Sequence, residues 1–313
     1  FAAQAVSGLG IDHLWFRADV QEAELGDVLD DLAQGIRFYY PNFFTPRAKP
    51  RKSDTLTTRF VLELEKNLKR DFIIVLDNFD FIRKNEDIIL FFQTLMDRFL
   101  PFIHLILISR TEPGGGMGLP QDEFPNWSTP FSGLKYSKLM AGRKVLILTE
   151  KELEFSPDET RMLFEDILDL WLEPETLELV HQKTNGWAAG LILLYQSLKD
   201  KNQPKAAAEK IKGSNRLIHN YFDENLFQDL PKPIQNFLMK TAILPLLRAD
   251  FCNALLGIGN SRQILSFLED FHLFTFSQDE DRTIFFFHPL FRDFLQARLK
   301  ICIPEDEISG LHN

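Results

Sequence analysis

The chain has 313 residues, too many for one typical compact core and enough for two or three domains. Apolar residues make up 45% and charged residues 26%, which excludes a disordered chain. The formal net charge of −10 repels phosphate backbones on average, so the chain reads as a poor DNA-binding module.

The only cysteines, Cys252 and Cys302, form no CxxC pattern, so neither a disulfide framework nor a zinc site is encoded, and a reducing cytoplasmic compartment fits. No stretch approaches the ~20 apolar residues that cross a bilayer. Phe1-Ala-Ala-Gln lacks the basic start and apolar run of a signal peptide, and an opening without Met fits a start inside a longer protein. The densest basic cluster, Arg47, Lys49, Arg51 and Lys52, lies among prolines and reads as a solvated loop.

In chain order, His13–Arg17 reads as a strand and 24–36 as a helix. Phe60, Val61, Leu64 and Leu68 share one helical face, predicting a helix over 58–70. Phe72–Leu76 is wholly apolar, as a parallel strand buried on both faces requires. A helix over 86–99 and a strand over 104–109 come next, and this alternation predicts a parallel α/β sheet. Residues 111–135 read as a loop; they hold glycines but neither GK[ST] nor a complete GxGxxG. Val145–Leu148 is a candidate last strand.

From 155 the pattern turns helical. Ser156-Pro-Asp-Glu159 is a capping box, and Leu163, Phe164, Ile167, Leu168 and Trp171 are expected to form one apolar stripe. A helix after Pro174 breaks at Gly186, and another spans 187–198. Residues 203–215 look like a polar linker. Helices near 217–230, 233–243, 249–256 and 261–270 precede strands at 273–276 and 283–287 and a last helix from His288-Pro289, the order of a winged helix.

Asp77 ends the buried strand, and ligands of open parallel sheets bind beyond the strands' carboxyl ends. A carboxylate there suits a magnesium ion held through water, or simply caps the next helix. Arg110 ends the next strand and suits a terminal phosphate or a surface ion pair. His288, at a helix start, suits an anion contact or a satisfied structural histidine.

Five stretches in order carry a family likeness: His13-Leu-Trp-Phe-Arg17, Ile74-Val-Leu-Asp-Asn-Phe-Asp80, Leu105-Ile-Leu-Ile-Ser-Arg-Thr-Glu-Pro113, Thr184-Asn-Gly-Trp-Ala-Ala-Gly-Leu191 and Phe287-His-Pro-Leu-Phe-Arg-Asp-Phe-Leu295. With them the chain resembles the MalT-like branch of the STAND ATPases, bacterial regulators that often end in a LuxR-type helix-turn-helix. The resemblance implies an α/β P-loop-type nucleotide-binding domain over 1–152, a helical domain over 153–215, a winged helix over 216–303 and, from 304 to 313, the start of a helical-repeat sensor.

It also implies ADP, ATP and Mg2+ as ligands, with ADP holding a closed state and ATP plus an inducer favouring self-oligomers. The inducer would bind a sensor beyond this chain, DNA would be bound only by a helix-turn-helix beyond it, and no membrane is involved. Matched by motif, Asp77 would hold magnesium, Arg110 would sense the terminal phosphate, and His288 would contact the β-phosphate. Trp187 would lie near the base or be plain core. Two departures stand out. The Walker A loop is absent, so the chain alone is expected to bind nucleotide poorly. Asn78 replaces the second acid of many relatives, and an amide is no general base. Hydrolysis would then be slow, or helped by Asp80. Two rival readings are a non-hydrolysing interaction scaffold and a DNA-binding winged-helix repressor.

Overall fold

The computed structural model describes residues 2–18, 24–44, 53–82, 85–98, 100–109 and 134–302. The basic cluster at 47–52, Arg110, most of the 111–135 loop and residues 304–313 lie outside them. The chain divides into two units, Phe1–Val145 and Leu146–Asn313.

The first unit runs α1 (Ala2–Leu9), β1 (Asp12–Arg17), α2 (Leu25–Tyr39), α3 (Ser53–Asn67), β2 (Phe72–Asp77), α4 (Phe79–Ile82), α5 (Glu86–Arg98), β3 (Ile103–Leu107) and α6 (Ser137–Ala141). The strands form a parallel sheet in the order β1-β2-β3, with Arg17 opposite Asp77. The central strand β2 is buried from Phe72 through Leu76. Successive side chains of a strand alternate faces. Phe72, Ile74 and Leu76 therefore join the core made with α2, α3 and α5, while Ile73 and Val75 pack with Val6 of α1 on the other face. The all-apolar run is thus explained: neither face of β2 meets water. Val145–Leu148, by contrast, is not a strand; Leu146 is 81% exposed, and an apolar run without a ladder partner stays irregular.

The second unit runs α7 (Glu150–Leu153), α8 (Pro157–Met162), a π turn (Leu163–Ile167), α9 (Pro174–Thr184), α10 (Ala188–Leu198), α11 (Pro204–Lys210), α12 (Arg216–Phe222), a second π turn (Asp223–Phe227) and α13 (Lys232–Thr241). Then come β4 (Leu247–Arg248), α14 (Ala249–Leu256), α15 (Ser261–Asp270), β5 (Thr275–Ser277), β6 (Ile284–Phe287) and α16 (Pro289–Cys302). The three strands make an antiparallel wing in the order β4-β6-β5; the two-residue β4 was too short to read from sequence.

The Ser156–Glu159 capping box forms as expected. The stripe beyond it does not. The Leu168 amide bonds the Leu163 carbonyl, five residues back, at 2.9 Å. This π turn inserts one residue, which shifts Ile167 off the stripe, and the helix then ends, with Asp169 at φ 50° and no helix over 168–173. Leu163 and Phe164 stay buried, but Ile167 is 73% and Trp171 69% exposed. The 203–215 linker also proves partly helical. Pro204 starts α11, and Lys183 Nζ caps its end by donating to the carbonyls of Glu209 at 3.2 Å and Ile211 at 2.6 Å. Gly213 then lies against α16, where a Cβ would fall 2.0 Å from the Leu290 carbonyl oxygen.

The displaced stripe predicts an asymmetry in urea unfolding. Phe164→Ala should lose about 3–5 kcal/mol, and Ile167→Ala no more than about 0.5 kcal/mol. Similar losses at both positions would contradict the π turn.

Candidate functional site

In the first unit the candidate residues sit where β2 gives way to α4. Asp77 is the first charged residue of the strand, its side chain 24% exposed at the carboxyl end of the sheet. Its Oδ1 accepts the Asn78 amide at 3.0 Å, and Oδ2 lies 3.9 Å from Arg17 Nε. That guanidinium is largely exposed, so the pair contributes little.

Asn78 has a left-handed backbone, φ 58°, a conformation that asparagine tolerates better than most residues. Its Nδ2 donates to the Ala18 carbonyl at 3.2 Å, and the Ala18 amide returns a bond to the Asp77 carbonyl at 2.9 Å. An aspartate here would set a carboxylate oxygen against that carbonyl with no proton to share. The amide at this position therefore has a structural use that sequence reading did not find. Asp80 lies in the first turn of α4, half-buried and already engaged by a neighbouring group. Arg110 lies outside the described residues, although the ladder continues toward it: the Ile108 amide bonds the Leu76 carbonyl at 2.8 Å. No cluster of three or more His, Cys, Asp or Glu that could hold a metal occurs among the described residues. A cation at Asp77 would thus draw its other ligands from water and phosphate, as magnesium commonly does.

In the second unit Trp187 and His288 come together, their ring centroids 5.8 Å apart. Trp187 comes after Asn185 and Gly186, both with positive φ, and stands at the start of α10. Its ring stacks on Phe222 at 5.5 Å and meets Phe274 edge-on at 4.9 Å and Tyr221 at 5.2 Å. Gly190 lies beneath it; a Cβ there would fall 2.4 Å from the indole Cε3.

His288 is 2% exposed, and its Nε2 donates to the Thr184 carbonyl at 2.9 Å. The Nδ1 is buried and has no partner among the described residues. Burial pushes the imidazole down to about 4, partly opposed by the Thr184 bond, so the ring is neutral at pH 7. The sequence pointed to both rings but not to what joins them: a carbonyl of the Thr184–Trp187 turn carries no side-chain signal. The Gly190 contact was visible only as a glycine three residues after the tryptophan.

Two of the three basic side chains of the last helix, Arg292 and Arg298, bond within the unit, while Lys300 is exposed. Arg292 donates to the carbonyls of Ala242 at 3.0 Å and Ile243 at 3.4 Å, which end α13, and Arg298 pairs with Asp223 at 3.0 Å. Charges engaged this way are poorly placed for a phosphate backbone.

Residues 223–307 match the MalT winged helix domain family. Over 175 residues the chain is 29% identical to the serine/threonine-protein kinase PknK of Mycobacterium tuberculosis, covering 56% of this chain and 16% of that protein. Over 196 residues it is 26% identical to the HTH-type transcriptional regulator MalT of Yersinia pestis, covering 62% of this chain and 20% of MalT. The chain thus spans a fifth or less of these relatives' length. A solved structure, the Walker-type ATPase of Pyrococcus abyssi, aligns over 94% of this chain and 86% of its own with a TM-score of 0.53 at 14% identity, a likeness of fold. No helix among the described residues is long and apolar enough to cross a membrane.

This geometry has two measurable consequences. The unfolded imidazole titrates near 6.5 and the folded one near 4. Below pH 6.5 the unfolded chain binds a proton that the folded chain refuses, so this contribution is intact above pH 6.5 and is lost on acidification toward 4. Between pH 7 and pH 5 the loss is roughly 2 kcal/mol. His288→Gln should lack that share in urea titrations at the two pH values; an unchanged pH slope would place the ring in water. Gly190→Ala should displace the boxed indole, seen as a lost near-ultraviolet circular dichroism band with helical content retained.

Proposed function

We propose that this chain, which carries a MalT winged helix domain behind a parallel α/β sheet, is the nucleotide-responsive switch of a cytoplasmic bacterial transcription regulator. The observation that carries the reading is the placement of Asp77 at the carboxyl end of a central strand buried on both faces, in a chain whose residues 223–307 match that domain. The α/β domain over 1–152 would bind ADP or ATP, and the helical domain over 153–215 and the winged helix over 216–303 would answer to it. Asp77 would hold Mg2+ through water, and the cation would offset the charge of the phosphates. Asp80 would assist from the next turn, and Arg110 would sense the terminal phosphate.

His288 would meet the β-phosphate only by releasing Thr184 or by accepting a proton at Nδ1, because the neutral ring offers a lone pair there. Either route couples the ligand to the bond between the winged helix and the Thr184–Trp187 turn. Asn78 fits slow hydrolysis, and a switch acts by shifting populations and not by turnover. The inward-facing Arg292 and Arg298 disfavour the repressor reading.

Fluorescence titration with a methylanthraniloyl-ADP probe, on a full-length parent that joins this chain to a Walker A loop, tests this reading. Magnesium should tighten binding to the wild type, and Asp77→Asn should remove the magnesium effect while leaving binding in EDTA unchanged. Absence of binding to either ADP or ATP, with or without magnesium, would favour the interaction scaffold.

A further inference from the structure

β1 is an edge strand: β2 lies on one side, and no described strand lies on the other. The Ala18 amide points to Asp77 of β2. Because N–H and C=O directions alternate along a strand, Asp12, Leu14 and Phe16 also face β2. His13, Trp15 and Arg17 therefore turn their backbone groups outward, where no backbone partner for them is found among the described residues.

This edge opens on a groove of about 650 Å3, walled on one side by α2. Tyr39, at the end of α2, rests edge-on against Phe72, the register partner of Asp12. Hence α2 runs back along β1. Asp27 and Asp31 lie toward the carboxyl end of the strand, and Phe38, 82% exposed, lies toward its amino end. Trp15 is 40% exposed on the strand itself. The wall is acidic at one end and aromatic at the other, in a chain of net charge −10.

We propose that this groove takes an extended segment of a partner polypeptide, which adds a strand beside β1 and sets basic side chains over Asp27 and Asp31 and apolar ones over Phe38. The outward amides and carbonyls select an extended chain, since only a strand offers matching groups at that spacing. The α2 wall selects the side chains. Asp27 to Phe38 spans about 16 Å of helix at 1.5 Å per residue. An added strand rises about 3.3 Å per residue with every second side chain facing the wall. The pattern that fits is Lys-x-Lys-x-Leu-x-Leu or its reverse, according to strand direction. The proposal is independent of nucleotide binding.

Fluorescence polarisation on the whole chain tests it, with labelled Ser-Lys-Thr-Lys-Thr-Leu-Thr-Leu-Ser and the reversed sequence as probes. One of the two should bind saturably. Asp27→Lys should weaken it by about tenfold or more, the cost of turning an attraction into a repulsion. N-methylation of the alternate peptide amides that face β1 keeps every side chain and should abolish binding, with no change to the protein. Failure of both peptides, or equal binding of the methylated one, would overturn the proposal. So would dimerisation in sedimentation that Trp15→Lys abolishes and the peptides do not compete with, because the edge would then serve a second copy.

Discussion

The first unit depends on one constraint: β2 is shielded from water on both faces. That demand makes Phe72–Leu76 wholly apolar and delays the first charge to Asp77, where the strand emerges. Two helical layers are then needed, and the chain supplies them with α1 on one side and α2, α3 and α5 on the other. The same burial decides where the first polar residues of the sheet appear. Where the two layers stop, the polar ends of the strands, Arg17, Asp77 and Asn78, are left at one margin of the sheet. The left-handed Asn78 and its bond to Ala18 tie β1 to β2 at that margin.

In the second unit the comparable constraint is the joint among Thr184, Trp187 and His288. An imidazole at 2% exposure is tolerable only when neutral and bonded, and the Thr184 carbonyl supplies the bond. Around it the packing leaves no slack, with Gly190 under the indole and Gly213 against the backbone of α16.

Charge is placed by the same logic. Arg292 and Arg298 terminate and pair elements within the second unit, and Arg282 reaches Glu269 and Asp270 at the base of the wing. These three cations are engaged within the second unit, which leaves them poorly placed to read nucleic acid. The acidic wall of α2 is different, because Asp27 and Asp31 line a groove beside a strand edge that no other described strand covers.

Period and end signals were enough to determine the parallel sheet, its central strand, the capping box at Ser156 and the winged-helix order, because each is a local pattern of apolar spacing and end residues. Asp77, Trp187 and His288 were legible as candidates for the same reason. Other features were decided only by the tertiary structure. The π turn at Leu163–Ile167 moved Ile167 out of the expected stripe, and the end of the helix there left Trp171 in an irregular segment, since neither a hydrogen-bond shift of one residue nor an early stop leaves a mark in the apolar spacing. The end of α11 relies on Lys183, twenty or more residues away, and the His288 joint on a backbone carbonyl that any residue would carry. The use of Asn78 required knowing that Ala18 lies beside it, sixty residues back in the chain. Contacts made between distant segments, and contacts made by the main chain, depend on packing that no local pattern encodes.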